Sequence, residues 1–288
     1  MTVNLAEKYS AKVDERFALS SITNALVNND YDWTGVKTIH VYSIPTVATG
    51  SYTRSGDNRY GTPAELQDTF ADYEITQDRA FTFTVDKGND LQQMGVKNAG
   101  KALAREIDEV IVPEIDKYRL GKIIAGAGNV DYSVTITKSN AYEQVLAGME
   151  ALGEDKVPVA GRIIVAPYSF FTKIRQDSAF LSANETAQGM KLNGQVGTIE
   201  GMPLILAPTD YFTTGTNFLI VHPIATVAPM QLNEYRTHID PPGISGALIE
   251  GRFIHDAFVL ESKADAIYVS KSSAQPSVSA SQSVSVSA

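Results

Sequence analysis

The chain predicts an α+β fold with β-rich ends around an α/β middle, and three observations lead there. Phe81, Phe83 and Val85 alternate with Thr82, Thr84 and Asp86, the period of a half-buried strand. Leu91, Met94, Leu103, Ile107, Val110, Ile111, Ile115 and Tyr118 recur at steps of three and four. Residues 90–119 therefore read as the longest helix, about 45 Å at 1.5 Å per residue. From 130 to 230, helical and strand patterns alternate, as in an α/β module.

Residues 1–35 have no firm period; Val13, Phe17, Leu19, Ile22, Leu26 and Val27 make at best a short amphipathic helix, so the stretch reads as an arm packed on something else. Residues 36–44 and 80–86 read as two strands. Between them Gly50, Ser51, Ser55, Gly56, Asp57, Asn58, Gly61 and Pro63 form a turn-rich tip, so residues 36–86 read as one long β-hairpin. A two-stranded hairpin is marginal alone in water, so one this long needs a surface to lie on.

Within the long helix, Pro113 lacks a donor and crowds the preceding turn, which predicts a kink or break near Val112. Gly121, Gly126 and Gly128 read as stop signals. A short strand at 132–136 leads to a second helix with Asn140 as N-cap, Glu143 three residues on, and the apolar stripe Tyr142, Val145, Leu146, Met149, Leu152. Residues 162–166 form a continuous apolar strand, and Pro167 opens a third helix burying Phe170, Phe171, Ile174 and Phe180. Turn, strand, turn, strand follow over 194–208, then an apolar strand at 218–221 and β-rich sequence over 247–269. The uncharged stretch 272–288 carries Ser at every second position from 277 to 287, a low-complexity tail that suits a spacer or a strand added to a neighbour's sheet edge.

Composition narrows the function. The 33 acidic residues against 24 Lys and Arg leave a net charge of −9, so the electrostatic footprint of a nucleic-acid binder is absent. With 43% hydrophobic and 20% charged residues, the balance is that of an ordinary folded protein. Without Cys there is no disulfide, thiolate nucleophile or cysteine metal site. Glu7, Lys8, Lys12 and Asp14 stand where a signal peptide keeps its apolar stretch, and no run of about 18 apolar residues occurs. A cytosolic chain is the expectation.

Catalytic patterns fail one by one. Gly95 to Ala102 has phosphate-loop spacing, but Ala102 stands where a hydroxyl must hold magnesium, and the stretch lies inside the long helical pattern. His40, His222, His238 and His255 are never three or four apart, so no paired-ligand helix exists. His255-Asp256 is half a triad, but Gly243 to Ala247 lacks the second glycine of a nucleophile elbow. Carboxylates gathered in space, as in a hydrolase, stay open as an alternative. The sequon at Asn184 is idle without secretion. No catalytic set, metal or cofactor is expected. What remains is charge: Glu65, Asp68, Asp72, Glu74 and Asp78 make the return side of the hairpin acidic, and Arg54 and Arg59 sit at its tip. Either this is a solvated face, or Arg54, Arg59, Glu65, Asp68 and Asp72 meet another copy of the chain.

Three stretches carry a resemblance: Val112-Pro113-Glu114-Ile115-Asp116-Lys117-Tyr118-Arg119, Ile163-Ile164-Val165-Ala166-Pro167 and Gly197-Thr198-Ile199-Glu200-Gly201-Met202-Pro203. Together with the order of parts, they resemble the major capsid protein of tailed double-stranded DNA bacteriophages, the Hong Kong phage capsid fold. The resemblance implies an N-terminal arm (1–35), an extended loop over a neighbouring subunit (36–86), a peripheral domain (87–139 and 232–271) with spine helix 90–119, an axial domain (140–231) and a Ser-rich tail (272–288). It further implies self-assembly into pentamers and hexamers of an icosahedral shell around DNA, in a virion assembled in the host cytoplasm with a portal. An encapsulin-like compartment shares that fold. Some relatives carry a scaffolding segment ahead of the arm; there is no room for one before residue 36, so a separate scaffolding protein is implied. Other relatives weld subunits through a loop lysine, and no Lys occurs between Lys37 and Lys87, so burial must hold the shell.

Overall fold

A computed structural model describes residues 21–272 apart from 29, 32, 34–35, 44–45, 63–64, 67–68, 88–98, 134 and 184–196. The expectations for residues 1–20, the helix start at 90–98, Gly95, Asp68, Asn184 and the tail from 273 lie outside the described residues. In chain order the strands are β1 (Thr38–Ser43), β2 (Thr69–Glu74), β3 (Gln77–Asp86), β4 (Asn129–Asp131), β5 (Ile163–Pro167), β6 (Thr198–Ile199), β7 (Met202–Ala207), β8 (Thr216–Val221), β9 (Thr226–Val227), β10 (Met230–Ile239), β11 (Gly246–His255), β12 (Phe258–Val259) and β13 (Ile267–Lys271). The helices are α1 (Ala99–Glu106), α2 (Val112–Ala125), α3 (Ala141–Glu154), α4 (Tyr168–Ile174) and α5 (Ser178–Ala183).

The hairpin forms, but not between the expected strands. β1 pairs antiparallel with β2, with Thr38 opposite Glu74 and Ser43 opposite Thr69. At Ile75 and Thr76 the chain turns a corner, and β3 pairs along its length with β11 in the three-stranded sheet β10-β11-β3. The alternation of Phe81, Phe83 and Val85 marked a half-buried strand correctly; alternation carries no information about the partner. Those rings lie with Tyr235, Ile249 and Phe253 against Leu103, Ile107, Ile111, Val112 and Ile115 of the long helix. A Cβ on Gly251 would stand 2.2 Å from the Phe81 ring, so only glycine lets that ring lie across β11.

The long helix does not break at Pro113. A π turn, Ile107–Ile111, joins α1 to α2, and the Val112 amide donates to the Ile107 carbonyl five residues back. Pro113 brings no donor, and its ring crowds the turn before it; one wider turn there absorbs the misfit while the helix continues. Gly121 does not stop the helix either, which runs to Ala125. The stop is Gly126, where a Cβ would stand 2.7 Å from Val259. β4 then replaces the strand expected at 132–136: Asp131 accepts from the Ser133 amide (2.8 Å) and hydroxyl (2.6 Å), a side-chain turn that ends the strand early.

The remaining strands build a six-stranded sheet in the order β4-β13-β8-β5-β7-β6. In β8, Phe218 and Ile220 face a core with Val145 and Leu152 of α3, Phe170 and Ile174 of α4 and Phe180 of α5. Leu219 and Val221 face the opposite core, with Leu120, Ile123 and Ile124 of α2. Burial on both faces explains the unbroken apolar runs of β5 and β8. It also corrects the placement of 267–271 beside the long strands: Ile267, Tyr268 and Val269 are apolar on both faces, and β13 pairs with β4 and β8. The expected third helix is two, α4 and α5. Between them the buried Asp177 carboxylate accepts from the Tyr142 amide (3.1 Å) at the start of α3 and the Ala179 amide (3.0 Å) at the start of α5. Asn140 precedes α3 as expected, but its side-chain oxygen accepts from the Thr137 amide instead (2.6 Å). The β6–β7 turn forms as read, with Glu200 (φ 50°) and Gly201 (φ 77°) both left-handed.

Among the arm residues described, a single 3-10 turn, Asn24–Leu26, stands where the amphipathic pattern ended, and Leu26 is fully buried against α2 and β8.

Candidate interaction surface

The hairpin has two unlike faces because its residues alternate. Ile39, Val41 and Tyr73 turn inward onto Trp33, Ile75, Val227 and Leu260. Phe258 completes this root, its ring 5.4 Å from those of both Trp33 and Tyr73. The other face carries Tyr42 opposite Phe70 and His40 opposite Asp72. Tyr42 is 66% and Phe70 64% exposed, and their rings are 6.2 Å apart. Beyond the strands Val47, Tyr52, Tyr60 and Leu66 are also exposed, Tyr60 to 92%. Burial of such side chains is worth about 1.5–3 kcal/mol each, so this row holds apolar area that the described residues leave in water.

The tip is ordered by its own bonds. Tyr52 and Tyr60 meet edge to face at 5.0 Å, the Thr53 amide donates to the Arg59 carbonyl (3.1 Å), and Arg59 Nε donates to the Gly56 carbonyl (3.1 Å). Arg54 and Arg59 are exposed there, and among the described residues neither pairs with a carboxylate. Among the described residues, the structure brings none of the candidate acids to them. Glu65 is exposed, and Asp68 lies outside the described residues. Asp72 meets His40 Nδ1 at 2.5 Å, and Glu74 pairs with Lys37. Asp78 belongs to β3, where Arg252 grips both its oxygens (3.0 and 2.6 Å) and holds its carboxyl below the ordinary carboxylate range. Exposed pairs of this kind add little stability. The aromatic face was missed by weighing charge alone; Tyr42, Phe70, Asp72 and Glu74 on one side of paired strands was the available signal.

The buried polar groups are structural. Asp256 accepts from the Thr76 amide and hydroxyl (both 2.8 Å), the Tyr118 hydroxyl (2.7 Å) and the Ala257 amide (2.8 Å), so its oxygens are taken and do not orient His255 as a triad would. His255 stacks on Phe253 and meets the edge of Tyr118, with its buried Nδ1 unbonded. Burial first, then the Arg119 guanidinium and more weakly Arg79, push its pKa down to about 4 against the opposing pull of Asp256. The unfolded chain binds this proton near pH 6.5. Its stabilising contribution is therefore complete above about pH 6.5 and falls away as the pH drops toward 4, by about 1.4 kcal/mol per unit of depression. His255→Phe, which keeps the stacking, is expected to flatten the fall of the thermal midpoint between pH 7.5 and 5; parallel curves for parent and variant would remove this account.

No family model and no curated protein matches the chain. Solved structures do. The capsid structure of the cyanophage P-SCSP1u superposes with a TM-score of 0.68 at 11% identity over 83% of this chain and 84% of the other. A structure from Mycobacterium phage Che8 gives 0.64 at 18% identity over 87% and 90%. The virus-like particle of Pyrococcus furiosus gives 0.58 at 14% identity over 93% and 100%. Likeness over more than four fifths of each chain at these scores assigns this chain the phage capsid fold.

Proposed function

We propose that the chain is the shell subunit of a tailed double-stranded DNA phage, assembling with its own copies into pentamers and hexamers of a closed capsid. The carrying observation is the hairpin of residues 38–74, which leaves Tyr42, Phe70, Val47, Tyr52, Tyr60 and Leu66 in water. A neighbouring copy offers the apolar surface they lack, and head-to-tail contacts of that kind close into rings. Each contact is modest; a subunit that engages several neighbours multiplies them. A net charge of −9 suits a container whose wall must not grip its genome. The virion is then where the protein resides, with a separate scaffolding protein and a portal as assembly partners.

Negative-stain microscopy of the purified chain tests this: rings or shells are expected, and a monomer at every concentration counts against it. The Arg54→Glu, Arg59→Glu double variant is expected to assemble about tenfold more weakly, as loss of steering rim charges does, with an unchanged thermal midpoint. Equal assembly would dismiss the tip contact. The likeness to a virus-like particle along 93% of this chain favours one second reading, a compartment that encloses protein. DNA or protein inside particles isolated from the native host separates the two.

A further inference from the structure

We propose that Asp256 is a positioning residue that fixes the angle at which the hairpin leaves the body, and through that angle the curvature of the assembled wall. The inference rests on the shell reading above, since an angle between hairpin and body becomes an angle between copies only if the hairpin lies on a neighbour. It starts from a covalent fact: β2 and β3 are nearly continuous in sequence, yet β2 belongs to the hairpin and β3 to the long-stranded sheet. Ile75 and Thr76 alone make the change of direction. Ile75 is held from the hairpin side, its amide donating to the Lys37 carbonyl (3.0 Å) and its side chain in the aromatic root.

Thr76 is held from the body side, by one carboxylate. Asp256 Oδ2 takes both the amide and the hydroxyl of Thr76 at 2.8 Å, while Oδ1 takes the Tyr118 hydroxyl at 2.7 Å and the Ala257 amide at 2.8 Å. Asp256 is itself at a second corner, between β11 and β12, and its amide donates to the Pro229 carbonyl (3.2 Å). One buried side chain therefore ties together the corner of the hairpin, the corner of the long-stranded sheet and the long helix. Burial and the bond to Asp256 push Tyr118 up to about 12, so its hydroxyl remains a donor throughout the neutral range. A carboxylate accepting four donors has no slack in any direction, unlike an apolar contact, which can slide. In a head-to-tail assembly, the rotation per contact decides whether and at what size copies close.

The test uses the full chain with Thr76→Val, Tyr118→Phe and their combination, and Thr76→Ser as the conservative control. Tyr118→Phe and Thr76→Val are expected to shift the mean particle diameter or to broaden its spread about twofold, because a looser corner samples more rotations per contact. Thr76→Ser, with amide and hydroxyl intact, is expected to keep the parental diameter. In the unassembled chain, amides of residues 36–43 and 69–77 are expected to exchange about tenfold faster in the double variant while those of β5 and β8 do not change. Particles of parental diameter and spread from both single variants overturn the proposal, as does unaltered exchange in the double variant. A parent chain that forms no particles would refute the shell reading instead, and the exchange comparison would still decide whether Asp256 holds the corner.

Discussion

The Tyr42→Glu, Phe70→Glu double variant is expected to form no particles under conditions where the parent assembles fully, while its thermal midpoint moves by less than about 2 °C, the change expected from under 1 kcal/mol in a chain of this size. The two effects separate because both rings lie outside the buried root of the hairpin, about two-thirds in water, meeting each other (6.2 Å) and, for Phe70, the His40 ring (6.1 Å). An aromatic ring two-thirds exposed offers on the order of 100 Å², or about 2.5 kcal/mol, to whatever covers it. Two glutamates forfeit both contributions and stand beside Asp72 and Glu74, adding like charges on one strand face. The loss recurs at every copy in a closed wall, so a deficit of a few kcal/mol per contact is enough to prevent closure. Sedimentation and negative stain read the first effect and calorimetry the second. Normal particle yield would show that the aromatic face is not a contact.

A second large effect is expected at Asp116, where the arm meets the long helix. Its carboxylate is 2% exposed and accepts from the Ser21 hydroxyl (2.6 Å), the Ile22 amide (3.0 Å) and the Thr23 hydroxyl (2.5 Å). Arg119, 3% exposed and one turn on, donates to Thr23 Oγ1 (3.3 Å) and Asn24 Oδ1 (2.8 Å). Burial lowers the Arg119 pKa, and the nearby Asp116 charge opposes that. Asp116→Ala takes the acceptor from all three arm donors and removes the negative charge nearest the buried guanidinium. The expected cost is about 3–5 kcal/mol, since each of three largely buried donors left without its acceptor costs roughly 1–3 kcal/mol, or roughly 10 °C in the thermal midpoint. Limited proteolysis is expected to cut residues 21–26 first in the variant. A midpoint within about 2 °C of the parent would mean that burial of Leu26 alone secures the arm.

Where side chains answer to a local rule, the sequence was readable. Residues 99–125 are helical because their apolar steps match 3.6 residues per turn. The β6–β7 turn forms because Glu200-Gly201 tolerates the left-handed region. The strands at 163–167 and 216–221 were legible as apolar runs between turn formers. Of the kink or break expected near Val112, the helix takes neither a stop nor a plain continuation: one wider turn, Ile107–Ile111, ends next to Val112 and lets it run on.

Pairing and the polar anchors were not legible. The hairpin was read between residues 36–44 and 80–86, whereas β1 pairs with residues 69–74; alternation is the same whichever strand is opposite. Asp116 and Asp256 looked like two of 33 acidic residues, and their bonds reach 95 and 180 positions along the chain, to Ser21 and Thr76. Arg54 and Arg59 were placed at a tip, and a tip is where they are, but no carboxylate partner for them lies among the described residues.

By itself the sequence determined the α+β class, the long helix and the existence of an outlying hairpin, because periodicity and turn chemistry act over a few neighbouring residues. Only the tertiary structure decided which strands pair, which hairpin face is covered and which carboxylates anchor the arm and the corner. Those outcomes depend on residues far apart in the chain coming within bonding distance.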